Sequence, residues 1–350
     1  MSKIGNLIRR HLKNFTPYST ARDDFKGDRG IFLDANENAL GSVTSENWNR
    51  YPDPRQSHLK EAMGKIKGIA QECIFMGNGS DEPIDLLIRG FCEPGIDEVM
   101  IFPPTYGMYK VVANINNVSV NEVLLTQDFQ LDMTLIKSAL NNHVKIIFIC
   151  SPNNPTGNLI QVKDIWDLAT VFKGIIVIDE AYIDFTDTPS WIEVLSKFPH
   201  LVVLQTLSKA WGLASLRLGM AFCHPKIVDV LNLIKPSYNI SGPVQNQVLK
   251  ALKEEDQMRS FVEEIKKLKK ELESALNQLP IVLKVYPSEA NFFLVKFKNV
   301  QEIFQYLMRN EIILRDRSGL VLCEDCIRIT VGTAFENKQL ILTLKNYLKI

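Results

Sequence analysis

Apolar and polar residues alternate along most of the chain with two different periods. Short runs rich in β-branched residues at 99–102, 146–150, 175–178 and 201–204 predict buried strands. Between these runs, apolar residues recur at helical spacing, as over 162–172, and predict helices. Strands that alternate with helices predict an α/β fold, in which a mostly parallel sheet is covered by helices on both faces.

The pattern changes after about Pro243. Apolar residues recur at helical spacing over 258–279 and predict one long amphipathic helix. Shorter strand and helix patterns then alternate, which predicts a smaller α+β domain. The predicted strands of this part cover 281–286, 292–297 and 327–331, and its predicted helices cover 300–308 and 337–348.

The first thirty residues are polar and basic and show little periodicity. This pattern predicts an arm rather than a core element. We therefore expect an N-terminal arm over 1–30, a large ligand-binding domain over 31–245 and a small C-terminal domain over 246–350.

Composition and charge narrow the class of partner. The 350 residues are 46% hydrophobic, and no apolar stretch approaches the roughly eighteen residues that a membrane span needs. Forty basic residues balance forty acidic ones, so the formal net charge of +0 gives no global attraction to nucleic acid or anionic lipid. We therefore expect small-molecule substrates, with neither nucleic acid nor membrane as a partner.

The cysteines and the N-terminal residues bear on the compartment. Six cysteines in a chain of this length do not make a disulfide-dense framework, which favours a reducing environment. No apolar segment of the signal-peptide kind follows Arg9, Arg10 and Lys13. We expect a cytoplasmic protein.

Several common catalytic motifs are missing from the sequence. The segment GNGS at 77–80 lacks the third glycine of a dinucleotide-binding loop, and neither a GK[ST] phosphate loop nor a GxSxG elbow occurs. The five histidines stand apart without metal-ligand spacing, so no metal site is predicted. Cys323 and Cys326 form one CxxC without a second pair, which disfavours a redox or zinc role.

Polar residues stand directly after successive predicted strands, where ligands bind in open parallel sheets. The segment SPNNPTG follows one strand at 151–157, although these residues could form only a tight loop. Asp179 ends the next strand, where burial penalises a carboxylate that lacks a cation. A helix cap or an ordinary salt bridge would also explain this aspartate.

Two further segments place polar residues next to a predicted strand or helix. Lys209 follows the strand at 201–204, and desolvation there would lower its amine pKa from about 10.4, as a Schiff-base nucleophile requires. The alternative is a lysine whose amine reaches the surface. The segment GNGSDE at 77–82 leads into a predicted helix over 83–91, whose start would either bind phosphate or simply be capped by Ser or Asp.

One ligand, pyridoxal phosphate, would use all four places. It needs an amine for its aldehyde, a carboxylate to keep its pyridine nitrogen protonated, and donors for its phosphate. Its phenolic oxygen needs a hydroxyl or amide donor, and its ring packs against an aromatic face. The residues available for these roles are Lys209, Asp179, Gly79, Ser80, Asp81, Ser208, Arg217, Tyr182, Asn154 and Tyr106.

The same segments also resemble the histidinol-phosphate aminotransferases, which are fold-type I pyridoxal phosphate enzymes. The resemblance runs from TPYSTAR, which contains Tyr18, through DANEN, which contains Asn36, to the terminal IRITVGT. Many aminotransferases share the general motifs, whereas TPY, FCEPG, PPTYGMY and LRDRS together point to this subfamily. The motifs that carry the resemblance are PPTYGMY at 103–109, SPNNPTG at 151–157, DEAY at 179–182, TLSKAWGLASLRLG at 206–219 and CIRITVGT at 326–333.

The resemblance implies how the chain holds this cofactor. Lys209, Asp179 and Tyr182 would form the catalytic set: the lysine bonds to the cofactor aldehyde, and the aspartate pairs with the pyridine nitrogen. Tyr182 and Asn154 would bind the phenolic oxygen, and Tyr106 would stack on the ring. The cofactor phosphate would be held by Ser80, Asp81, Thr206, Ser208 and Arg217, with Tyr51 reaching in from the neighbouring subunit.

The resemblance also implies the substrate contacts. Arg328 would bind the α-carboxylate of glutamate, a planar two-point task that suits arginine. Arg315, together with Tyr18 on the neighbouring subunit's arm, would bind the phosphate of histidinol phosphate. Asn36 would lie in a loop on the substrate side, and the shared sites imply a homodimer.

The implied activity is transamination between histidinol phosphate and 2-oxoglutarate. Two other activities stay open on the sequence: a decarboxylase of an amino-acid phosphate and an aromatic amino-acid aminotransferase, each of which could use a similar cofactor site. A regulator that binds the cofactor without catalysis would need a DNA-binding domain, and no residues are left over to build one.

Overall fold

The structure is a computed structural model that describes residues 3–16 and 30–349. A large sheet organises the first part of the chain. Its strands are β1 (Ile74–Asn78), β2 (Glu98–Ile101), β3 (Ser119–Glu122), β4 (Val144–Cys150), β5 (Ile175–Asp179), β6 (Leu201–Thr206) and β7 (Leu218–Cys223). The helices of this part are α1 (Lys3–Leu7), α2 (Ser57–Lys67), α3 (Asp81–Phe91), α4 (Met108–Ile115), α5 (Met133–Ala139), α6 (Val162–Val171), α7 (Pro225–Ile234) and α8 (Gly242–Ala251).

The strand order of the large sheet is β1-β7-β6-β5-β4-β2-β3. Neighbouring strands from β3 to β6 are parallel, whereas β7 runs antiparallel to both β6 and β1. The register places Asp179 between Cys150 and Leu204, so β4, β5 and β6 end at the same edge. The predicted mostly parallel sheet is confirmed.

Successive residues of the central strands are buried on opposite faces of the sheet. In β5, Ile176 and Ile178 belong to one apolar cluster, whereas Ile175 and Val177 belong to another. Leu168 of α6 packs in the first cluster, and helices α3 and α7 pack in the second. Both faces are therefore covered by helices, as the continuous apolar runs predict. Each fully buried aliphatic side chain contributes about 1.5–3 kcal/mol by leaving water.

A second, antiparallel sheet lies in the C-terminal part of the chain. Its strands are β8 (Val282–Val285), β9 (Phe292–Phe297), β10 (Arg315–Asp316) and β11 (Cys326–Thr330), in the order β10-β11-β9-β8. Helices α9 (Glu255–Asn277), α10 (Val300–Arg309) and α11 (Ala334–Leu348) contribute apolar residues to the core that covers it. The predicted α+β character of this part is confirmed. Among the helices described, none combines the length and apolar character needed to cross a bilayer.

The hydrophobic pattern does not predict β1, β3 or β7. In β7 the apolar run is interrupted by Gly219, and the backbone of another loop packs directly against this glycine. A Cβ atom at Gly219 would lie 2.3 Å from the carbonyl carbon of Gly79 and 2.3 Å from the nitrogen of Ser80. The glycine is therefore needed for the close approach of the 79–80 loop to β7.

The N-terminal segment differs from the arm that the sequence predicts. Ile4 is buried in the core, and the backbone N–H of Arg9 donates to the carbonyl oxygen of Gly90 at 3.0 Å. The guanidinium of Arg9 also pairs with Glu93 at 3.4 Å. Residues 3–16 are thus attached to the helices beside the large sheet. Residues 17–29, which include Tyr18, lie outside the described residues.

Candidate active site

A cavity of about 410 Å³ lies at the edge of the large sheet where β4, β5 and β6 end. It brings together most of the site residues that the sequence predicts. These are Gly79, Ser80, Asp81, Tyr106, Asn154, Asp179, Tyr182, Thr206, Ser208, Lys209, Arg217, Arg315 and Arg328. The same cavity is lined by three residues absent from the sequence-based set: Cys150, Ala181 and Arg317.

Two predicted residues lie elsewhere. Asn36 and Tyr51 line a separate cavity of about 460 Å³, where the Tyr51 ring stacks on Tyr238 at 4.5 Å between centroids. Tyr51 is about half exposed. The folding of one chain therefore does not bring Tyr51 into the main cavity.

Asp179 is the last residue of β5 and is 2% exposed. One carboxylate oxygen accepts a hydrogen bond from the Tyr109 hydroxyl at 2.7 Å, and the other accepts from the backbone N–H of Ala181 at 3.1 Å. Burial raises the pKa of Asp179 to about 6. Among the described residues, no lysine or arginine lies within ion-pair distance of this carboxylate. The site thus offers a buried acid that a cationic ligand would stabilise.

Tyr109 is the residue of this arrangement that sequence reasoning missed. It is fully buried on α4, and its ring stacks on Phe148 at 4.8 Å. The motif PPTYGMY contains it, but only its hydroxyl contact with Asp179 shows that it holds the acid. An apolar-looking position on a helix gives no signal of that contact.

Lys209 lies in the turn after β6 and opens into the cavity. The Lys209 side chain is exposed to the cavity rather than buried. Partial desolvation and then the nearby positive charge of Arg328 still lower its amine pKa, while Asp179 acts in the opposite direction. The amine lies 5.7 Å from the centre of the Tyr182 ring. A lower pKa leaves more of the amine unprotonated, which nucleophilic and basic chemistry requires.

The 79–81 loop and Arg217 form one side of the cavity. Gly79 has a φ of 68° and donates its backbone N–H to the carbonyl oxygen of Arg217 at 2.7 Å. Ser80 precedes α3 but makes no side-chain capping bond, so its hydroxyl is not used as the ordinary helix cap. The Arg217 guanidinium lies 3.4 Å from Asp81. Free N–H groups at a helix start next to a guanidinium are a suitable phosphate site.

Two hydroxyl groups lie on the same side of the cavity as Arg217. The Thr206 and Ser208 hydroxyl oxygens lie 3.0 Å apart, and the backbone N–H of Ser208 donates to Thr206 at 3.1 Å. Both hydroxyls line the same cavity as Arg217. They add hydrogen-bond donors for an anion at this position.

Aromatic and amide groups lie between the phosphate side and the second sheet. The Tyr106 hydroxyl donates to Asp81 at 3.0 Å. The Asn154 amide nitrogen donates to the Tyr182 hydroxyl oxygen at 3.4 Å, and the Arg328 guanidinium donates to the Asn154 carbonyl oxygen at 2.7 Å. Burial raises the pKa of the Tyr182 phenol, so this hydroxyl keeps its proton and can donate.

The charges that line the cavity select for anions. Five cationic side chains, those of Lys209, Arg217, Arg315, Arg317 and Arg328, face two carboxylates, Asp81 and Asp179. The cavity therefore has an excess of three positive charges when all are ionised. A buried acid, a lysine of lowered pKa and a separate phosphate site are the donor set that pyridoxal phosphate requires, so the residues fit this cofactor.

Comparisons with known proteins agree with this geometry. The profile of the family described as aminotransferase class I and II matches residues 24–344. A curated histidinol-phosphate aminotransferase of Cytophaga hutchinsonii is 51% identical over 344 residues, which cover 98% of this chain and 99% of the relative. Another, from Parabacteroides distasonis, is 46% identical over 346 residues, or 99% of each chain.

A solved structure shares the fold. The histidinol-phosphate aminotransferase from Sinorhizobium meliloti, in complex with pyridoxal-5'-phosphate, superposes with a TM-score of 0.80 over 90% of this chain and 89% of that chain, at 22% identity. At this identity the likeness shows the fold alone, and the family follows from the closer sequences. The chain belongs to the class I and II aminotransferases, in the histidinol-phosphate aminotransferase family.

Proposed function

We propose that this chain transfers the amino group of histidinol phosphate to 2-oxoglutarate, giving imidazole-acetol phosphate and glutamate, as a step of histidine biosynthesis. The observation that carries the proposal is that one cavity is lined both by a buried carboxylate, Asp179, and by Lys209, whose amine pKa is lowered. The names of the curated relatives support the choice of reaction.

Pyridoxal phosphate fits the residues of the main cavity. When bound, it supplies an aldehyde that accepts the substrate amine and a ring that withdraws electrons from the substrate. Asp179 would hold a proton on the ring nitrogen, because this pairing removes the cost of its own buried charge. Tyr182 and Asn154 would bind the phenolic oxygen, and Tyr106 would cover the ring. The phosphate would be held by Ser80, Asp81, Thr206, Ser208 and Arg217, and Gly79, whose N–H is used by the Arg217 carbonyl oxygen, would shape their loop.

Lys209 would act both as the anchor of the cofactor and as the base. Its lowered pKa favours the unprotonated amine, which can take the proton from the substrate α-carbon. A cationic partner would lower the pKa of Asp179 and keep its carboxylate ionised, so the two groups keep opposite roles. The different surroundings of Asp179 and Lys209 give them these two roles: Asp179 holds a charge, and Lys209 moves a proton.

The second sheet would supply the substrate contacts. Arg328 already donates to Asn154, next to the proposed cofactor position, and would bind the α-carboxylate of glutamate through its remaining N–H groups. Arg315 lies opposite Arg328 in the β10–β11 pair and would bind the phosphate of histidinol phosphate. We also propose that residues 31–245 bind the cofactor as the large domain and that residues 246–350 form the small domain.

Product analysis tests the proposed reaction. Purified holoenzyme with histidinol phosphate and 2-oxoglutarate is expected to form one glutamate per keto product, with no turnover when 2-oxoglutarate is withheld. Carbon dioxide released from an amino-acid phosphate without 2-oxoglutarate would instead identify a decarboxylase. A higher kcat/KM for phenylalanine than for histidinol phosphate would identify an aromatic aminotransferase.

We further propose a cytoplasmic homodimer with shared active sites. Tyr51 lies outside the main cavity of its own chain and is about half exposed, which supports a role toward the cofactor phosphate of the neighbouring subunit. Asn36 lines the same separate cavity and would serve the substrate side of that site. Tyr18 is proposed to contact the substrate phosphate of the neighbouring subunit.

Sedimentation equilibrium tests the assembly. The holoenzyme is expected to have a mass near that of two chains at micromolar concentration, since each site would need a residue of the other chain. A mass near one chain, with full activity at the same concentration, would contradict shared sites. Enzyme diluted until it dissociates is expected to lose activity together with the dimer.

A further inference from the structure

Three arginine side chains share one face of the β10–β11 pair. Arg315 is the direct antiparallel partner of Arg328. The backbone N–H of Arg317 donates to the carbonyl oxygen of Cys326 at 3.0 Å, which continues the pairing two residues further. Opposed residues, and residues two apart in a strand, point to the same face. All three arginines line the main cavity.

Their positive charges have no acidic counterpart among the described residues. None of the three forms an ion pair within the part of the chain that the structure describes. Asp316 lies between two of them, but its carboxylate accepts from Ser318 and from Gln301. Like charges that face each other across strands destabilise the pair. A bound anion would therefore stabilise this arginine cluster.

Arg317 shows the lack of a partner at a single atom. Its Nε is buried and has no hydrogen-bond partner among the described residues. Burial first, and then the charges of Arg328 and Arg315, lower the pKa of its guanidinium. A buried donor without a partner is costly. Because this Nε is closed to solvent, an anion in the cavity would bind the terminal N–H groups of the same guanidinium.

The backbone around Arg317 is held firmly. Asp316 accepts from the backbone N–H of Ser318 at 2.8 Å and from its hydroxyl at 2.6 Å, and Gln301 of α10 donates to Ser318 at 2.9 Å. These bonds fix the residues on both sides of Arg317. Its guanidinium is therefore presented from an ordered turn, which lowers the entropy lost on binding.

We propose that Arg317 is a specificity-determining residue that binds, with Arg315, the phosphate of the amine donor; this inference rests on the proposed function. A phosphate monoester carries about two negative charges at neutral pH and offers several acceptor oxygens, so it can use two guanidinium groups. The cofactor phosphate has its own site beside Arg217, and Arg328 is partly engaged by Asn154. An aromatic donor without a phosphate would leave the charges of Arg315 and Arg317 without a counterion.

The test compares histidinol phosphate with histidinol, which lacks only the phosphate. The measured quantity is kcat/KM for histidinol phosphate divided by kcat/KM for histidinol. Arg317→Gln is expected to lower this ratio by about 10- to 100-fold, mainly by raising KM for histidinol phosphate. The ratio for Arg317→Lys should lie between those of wild type and Arg317→Gln, because lysine keeps the positive charge but not the planar guanidinium that can donate two hydrogen bonds. Arg309→Gln is the matched control: Arg309 is exposed on α10 and bonds only to the backbone of its own helix in the described residues.

Two outcomes would overturn the proposal. An unchanged ratio in Arg317→Gln would show that Arg317 does not read the phosphate. Equal losses for both donors would show a structural role, and the cofactor absorbance and the melting temperature would reveal whether the variant folds.

A binding measurement separates this inference from the proposed function. In the holoenzyme the cofactor's phosphate site is filled, so inorganic phosphate that inhibits the half-reaction with glutamate reports on the arginine cluster. Arg317→Gln is expected to raise the inhibition constant by about tenfold or more, and no change would refute the assignment of Arg317. If the wild-type enzyme does not turn over histidinol phosphate, the proposed reaction is refuted. The phosphate-inhibition measurement would still decide the role of Arg317.

Discussion

Replacing Lys209 by alanine is expected to lower turnover by about four orders of magnitude. The substitution removes both the amine that anchors the cofactor and the base that moves the α-proton. No other lysine lines the main cavity in the described part of the chain, so none can take over. The measurement is the rate of glutamate formation, together with the absorbance of the lysine-bound cofactor, which should disappear.

Lys60 provides a matched control for this prediction. Burial lowers the pKa of its amine to about 8, yet it lies away from the main cavity, beside a different surface pocket. Lys60→Met is expected to keep the cofactor absorbance, and borohydride treatment of the wild-type enzyme should attach the cofactor to the peptide that contains Lys209. Attachment at Lys60, or a Lys209→Ala variant that retains absorbance and turnover, would contradict the assignment.

Asp179→Asn is expected to lower kcat by about 100- to 1000-fold. Asparagine keeps the size of the side chain, and its one carbonyl oxygen can accept from the backbone N–H of Ala181 while its amide group donates to the Tyr109 hydroxyl oxygen. It cannot hold a positive charge on the cofactor ring. The measurement is kcat with saturating substrates and cofactor, with the dissociation constant of the cofactor determined in parallel.

The neighbouring Glu180 supplies the control for Asp179. It is also a buried carboxylate, but it accepts from Ser190, the backbone of Trp191 and Gln205 and does not line the main cavity. Glu180→Gln should therefore lose far less activity than Asp179→Asn. Equal losses would indicate that removing any buried charge at the end of β5 damages the site.

The pH dependence of stability gives Asp179 a readout that does not involve turnover. Its pKa is about 6 in the folded protein and 3.8 in the unfolded chain, so without the cofactor the folded state binds more protons between these values. The free energy of unfolding of the cofactor-free protein should fall as pH rises from about 4 to about 6, by up to about 3 kcal/mol. Asp179→Asn should remove this part of the slope in urea unfolding. An unchanged slope would contradict a buried, unpaired Asp179.

Much of the site follows from short-range information in the sequence. Asp179 and Lys209 stand at or just after apolar runs that predict buried strands, and parallel strands end at one edge, so the sequence predicts that the two residues lie near each other. Ser80 and Asp81 stand where an amphipathic helix begins, a position that predicts either a phosphate site or an ordinary cap. The structure places these groups in one cavity.

Other members of the site depend on contacts between distant segments. Tyr109 reads as a core aromatic until its hydroxyl is seen to meet Asp179, seventy positions away. Arg317 belongs to the cavity only because β10 pairs with β11 in one register. A shift of one residue would turn Arg315 and Arg317 to the opposite face, and the motif LRDRS does not itself fix that register.

The sequence by itself determined the α/β class, the smaller α+β part and the positions of Asp179 and Lys209 after predicted strands, because periodicity and strand ends are local properties of the chain. Only the tertiary structure decided the reversed direction of β7, the attachment of residues 3–16 to the large sheet's helices and the common face of the three arginines. These features depend on backbone approach, burial against remote partners and strand register. Such energies exist only once distant segments are packed together.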